Sequence, residues 1–210
     1  MRMRITIGVL GILLPWIVTW LIGYIPPSIS ATYYTNASTV FMIILGWASG
    51  LLICYMGYEP IDDIILTLTG IAGLGICLFP CSITSAINFV GTFKLNNHAS
   101  DKIHIVCAIV FFLLLSYNSL FLFTKGAAVK TRKKKARNVI FIICGVGMIA
   151  SFALLLIPIY CRVWLAETAA LTLFGISFLT KANRFKWLFC DGDNKGIQYK
   201  EGGADERQIF

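Results

Sequence analysis

Glu167 stands inside an apolar run, 162–180, that contains no other acid. A charge within a bilayer is expensive, so an ionisable group there is a candidate functional residue by default. Asp101 and His104 are three apart, which puts both on one face of a helical turn, and His98 lies just upstream. Loop 26–37 carries no charge yet is dense in hydroxyls and rings, Ser30, Tyr33 and Tyr34 among them.

These residue types permit several chemistries. Ser30, Tyr33, Tyr34, His104 and Glu167 on one membrane face would make an outward-facing polar pocket for a lipid headgroup or small amphiphile. The same groups could instead form a structural network in which Glu167 bonds Tyr or His. His98, Asp101, His104 and Glu167 meet the usual count of metal ligands, which would suit a metal-dependent lipid hydrolase, but they match no established spacing. Ser30, His104 and Glu167 are also the residue types of a hydrolytic triad, without a nucleophile elbow to present the serine. A small-molecule transporter is the remaining alternative; against it, no ionisable residue falls near the middle of any span, and no internal repeat is visible.

Elements able to position these groups must be membrane helices. Hydrophobic residues make up 58% of the chain and charged ones only 13%, with a mean hydropathy of +0.79. Soluble domains carry about a quarter charged residues. The composition excludes a cytosolic enzyme, a secreted disulfide scaffold and a disordered tail. Six apolar runs, about 5–25, 38–58, 63–83, 103–123, 138–160 and 162–180, predict an all-α polytopic bundle of six transmembrane helices over 1–182. They are continuous rather than alternating, which argues against a membrane barrel. The first run follows Arg2 and Arg4 as a signal peptide would, but its length favours a retained span. Residues 183–210 read as an interfacial and partly disordered cytoplasmic tail.

The net charge of +8 follows from topology. Arg2, Arg4, seven cations in 124–137, Lys181, Arg184 and Lys186 fall on one side, against Lys94, Lys102 and Arg162 on the other. Cation-rich loops are cytoplasmic, so both termini are expected inside a cell-membrane protein. Nucleic acid is not an expected partner, because the cations do not share a soluble basic face. Lys130, Arg132, Lys133, Lys134, Lys135 and Arg137 form a compact stretch that would hold its loop inside and could touch anionic lipid. Asp62 and Asp63, in the facing turn, could pair with it. Seven scattered cysteines form no CxxC motif; Cys81 and Cys161, both near outer helix ends, are the one pair placed to bridge. No cofactor motif is present. Gly46 and Gly50, Gly70 and Gly73, and Gly145 and Gly147 mark faces suited to close helix packing.

Several short motifs carry a family resemblance. They are Ser28-Ile29-Ser30-Ala31-Thr32-Tyr33-Tyr34, Tyr55-Met56-Gly57-Tyr58, Leu78-Phe79-Pro80, Ile103-His104, Glu167-Thr168-Ala169-Ala170-Leu171 and Phe174-Gly175-Ile176-Ser177. Together they resemble a group of six-span bacterial membrane proteins of unknown function, the DUF998-like proteins, over roughly residues 5–182. The pattern is more distantly similar to the DRAM and FGF-receptor-activating-protein families. For the bacterial group the resemblance implies no established activity; for the eukaryotic ones it implies non-enzymatic roles in membrane lipid organisation or trafficking. Ceramidase-like hydrolases have a related flavour, but two histidines are fewer than their metal site needs. With the polar residues clustered on one side, the expected function is a non-enzymatic lipid- or amphiphile-interacting or membrane-organising protein with an outward-facing polar pocket.

Overall fold

The computed structural model describes residues 2–57, 59–83, 89–125 and 132–182. Among these residues six α-helices follow in order: α1 (Arg2–Ile22), α2 (Ser38–Ile53), α3 (Pro60–Leu78), α4 (Asn97–Tyr117), α5 (Arg132–Ser151) and α6 (Arg162–Lys181). Each packs on the next, and α6 returns to α1, so the helices close a ring in chain order. A two-residue hairpin, β1 (Phe89–Val90) with β2 (Leu95–Asn96), sits between α3 and α4. Among the described residues five helices are long and apolar enough to cross a bilayer, the signature of a multi-pass membrane protein. The remaining helix, α2, has 16 residues.

Helix ends depart from the apolar runs for identifiable reasons. Helix α2 stops at Ile53, short of the expected 58, because the next residues pass tightly over the start of α3: a Cβ on Gly57 would collide with Asp62. Pro60 then opens α3 at a position where its missing N–H is no loss. The same helix ends at Leu78 rather than 83, since Pro80 drives Phe79 into an extended conformation. Helix α4 begins six residues before the expected 103 because Asn96 caps it, accepting from the His98 amide. Beyond Tyr117 the helix widens into a π turn, Asn118–Leu122. Helix α5 tightens into a 3-10 turn, Phe152–Leu156, and Pro158 leaves Ile157 extended.

Small residues set two of the crossings. A Cβ on Gly175 would lie 2.5 Å from the Gly8 carbonyl oxygen, so α1 and α6 touch backbone to backbone. Gly70 meets the Ser49 carbonyl of α2 in the same manner, and Gly73 leaves room for the Ser49 side chain. Gly46 and Gly50, expected to pack, meet nothing within 4 Å. Cys81 and Cys161 are both free thiols, which removes the expected bridge.

The two ends of the ring differ. At the basic end Lys125 bonds Glu59 and the buried Asp62, both at 2.8 Å. These hydrogen bonds, Asp62 first, hold the Lys125 pKa above the usual lysine range. Asp62 therefore finds a partner in the expected facing loop, at Lys125. Lys181 donates to the Phe123 carbonyl and lies over the Phe123 and Phe141 rings. The opposite end carries the polar loops.

Candidate functional site

Two structures meet at the polar end. The first joins loop 23–37 to α6. Pro26 and Pro27 keep the chain out of helix until a 3-10 turn at Ser30–Tyr34, which Ser28 starts by accepting the Ala31 amide on its hydroxyl. The exposed backbone is then taken up by α6. The Ile29 amide donates to Glu167 Oε2 at 2.6 Å, and the Trp164 amide donates to the Pro27 carbonyl at 3.1 Å. Trp164 also donates its indole N–H to Thr19 of α1.

The second joins the segment after α3 to α4. A helix end leaves carbonyls without intrahelical partners, and α4 supplies the donors. His104 Nδ1 lies 2.7 Å from the Phe79 carbonyl, and the Ser100 hydroxyl donates to the Pro80 carbonyl at 2.8 Å. Asp101 accepts the Ser82 amide at 2.7 Å. Tyr34 links the two halves, donating its hydroxyl to the Cys81 carbonyl at 2.7 Å. Burial, then Cys81, Tyr33 and Asp101, push the Tyr34 phenol up to about 12, so it remains a donor. Burial, with Glu167 and Asp101 adding to it, likewise pushes the Cys81 thiol up to about 12; it is no thiolate nucleophile.

Between the halves lies a cavity of about 610 Å³, within the roughly 300–1,000 Å³ range of small-molecule sites. Ser28, Ser30, Cys81, His104 and Glu167 supply its polar groups. Its walls are apolar, from Ile105, Ile109, Phe112 and Leu113 of α4 to Met148 of α5 and Phe152 beyond it. Ile105, Ile109, Leu113 and Ile149 are about half exposed, so the cavity opens sideways between α4 and α5. From His104 to Leu113 the wall runs for about 14 Å at 1.5 Å per residue.

Divergence of α4 and α5 makes this space. Toward the basic end the two are held together: Ser116 donates to the Gly145 carbonyl at 2.8 Å, Ser119 to the Phe141 carbonyl at 2.9 Å, and Leu120 packs onto Gly145. Toward the polar end Ala108 and Phe112 of α4 line the cavity together with Met148 of α5 and Phe152, whose ring meets Phe112 edge to face at 5.1 Å.

Of the five residues expected to form a pocket, Ser30, His104 and Glu167 line the cavity. Tyr33 and Tyr34 stand outside it, stacked edge to face at 5.2 Å. Neither Ser30 nor Glu167 hydrogen bonds His104, so no triad is assembled. The four expected metal ligands do not converge: among the described residues no three His, Cys, Asp or Glu side chains could hold a metal ion. His98 is exposed, and Asp101 and His104 are turned to separate backbone partners. Lys130 and the side chains of Arg132, Lys133 and Lys134 lie outside the described residues, as does the 183–210 tail; Lys135 is exposed and Arg137 half-buried. Ser28 and Cys81 are the lining groups that the sequence did not single out as pocket residues.

No family model matches this chain, and no curated protein and no solved structure shows significant similarity to it.

Proposed function

We propose that this is a six-span protein of the cell membrane that admits an amphiphile sideways from the bilayer, chain into the cavity and head toward Glu167, His104 and Ser30. It is a binding or membrane-organising role and not a hydrolytic one. One observation carries the reading: an apolar cavity flanked by α4 and α5 has its polar groups gathered at one end. Amphiphiles have that same division. The wall length of about 14 Å at 1.5 Å per residue reaches roughly half-way through a hydrocarbon core of about 30 Å.

In this reading α2 is the sixth span. Its 16 residues give only about 24 Å, yet it lies between α1 and α3 in the ring and joins the same two ends. An even number of crossings leaves both termini on one side, and the cation bias makes that side cytoplasmic. The 130–137 stretch then lies at the anionic leaflet, where each cation contributes about 1 kcal/mol. The resemblance to six-span bacterial proteins is part of the same proposal and rests on the short motifs alone.

Native mass spectrometry of the protein purified in mild uncharged detergent tests the reading. About one bound amphiphile per chain is expected, lost in Ala108→Trp, which fills the cavity. Equal occupancy in parent and variant would overturn it.

A further inference from the structure

We infer that the head bound in this cavity is a protonated amine, so that the occupant is a long-chain primary amine. The inference rests on the cavity reading above and adds the chemistry of the head. Among the described residues Glu167 is the single carboxylate that lines the cavity, and no lysine or arginine lines the space with it. Among the described residues its oxygens receive one hydrogen bond, from the Ile29 amide to Oε2. That bond fixes the carboxylate in place without supplying a countercharge. Arg162, the nearest basic residue along α6, is exposed and donates instead to the Leu155 carbonyl at 3.3 Å.

A carboxylate among apolar walls is costly unless paired. An ammonium head brings the missing charge and N–H donors that Glu167 can accept. The Ser30 hydroxyl and the Ser28 side chain line the same end and offer further oxygens. Acidic amphiphiles meet the opposite situation, with a carboxylate facing their head and no lining cation to offset it. A phosphate beside an amine, as in ethanolamine phospholipids, would be left unpaired for the same reason.

The test titrates oleylamine, oleyl alcohol and oleic acid, which share one chain, into the full-length protein in uncharged detergent. Ala108→Trp serves as the blank for micelle partitioning. Oleylamine is expected to bind about ten-fold or more tighter than oleyl alcohol, the scale of a desolvated charge pair, with oleic acid weakest. Glu167→Gln should abolish the preference for the amine over the alcohol. Where that variant fails to fold, the parent's ranking decides alone. Equal affinity for amine and alcohol, or a preference that survives Glu167→Gln, overturns the amine assignment and leaves the cavity reading standing. Binding of none of the three above the blank overturns both.

Discussion

The amide of Ile29 donates to the carboxylate of Glu167 at 2.6 Å across 138 positions of sequence. That bond ties the first loop to the last helix and sets the polar end of the cavity. Its loss should be visible without any ligand. Glu167→Gln keeps an acceptor oxygen and should melt near the parent, whereas Glu167→Leu strands the amide of the buried Ile29 at about 1–3 kcal/mol. Thermal unfolding in detergent checks the order; equal melting of the two variants would contradict it.

Tyr33 and Tyr34 are neighbours with different duties. Only Tyr34 reaches a carbonyl, that of Cys81, so Tyr34→Phe should lower stability by about 1 kcal/mol while Tyr33→Phe leaves it unchanged. The folded phenol titrates near 12 against an ordinary 10.0. A raised folded pKa gives stability that is complete below the ordinary value and falls as pH rises through the folded one. Stability should therefore decline between pH 10 and about 12, and Tyr34→Phe should flatten that decline.

Glycines that look alike in the sequence should behave oppositely. Gly175→Ala drives a methyl into the Gly8 backbone and should destabilise by about 1–3 kcal/mol, as overpacking does. Gly46→Ala meets open space and should be neutral or stabilise by about 0.5–1 kcal/mol, the helix preference of Ala over Gly. Paired melting curves of the two variants measure the contrast.

Ser116→Ala and Ser119→Ala each remove a hydroxyl bond to an α5 carbonyl. Such bonds inside membranes are worth about 0.6 kcal/mol, so each variant should melt slightly lower and the pair close to additively. Hydrogen exchange should rise along α4 and α5 at the basic end and not at α1 or α6.

The helices, their order and the collection of polar groups at one end were legible because charge inside an apolar run is conspicuous and loops alternate between faces. Glu167 stood out for that reason. The cavity was not legible. It arises from how far α4 and α5 part, which depends on Ser116, Ser119 and Gly145 meeting at the other end, and serines in apolar helices give no periodic signal. His104 was found but its partner was not, since the Phe79 carbonyl becomes available only because Pro80 ends α3. The metal grouping failed for a related reason: sequence places His98 and Asp101 on the right end but cannot show that backbone amides and solvent claim them.

Met148 gives the most direct test of the cavity. Its side chain lines the space yet is fully buried, whereas Met56 is 82% exposed in the α2–α3 connection at the basic end. With carbon-13 methyl-labelled methionine, an alkyl amine carrying a nitroxide at its chain end should broaden the Met148 methyl resonance at substoichiometric probe, saturably, before it affects Met56. Broadening of Met56 and the exposed Met3 with Met148 untouched would mean that the chain stays outside, and the cavity would not be a binding site.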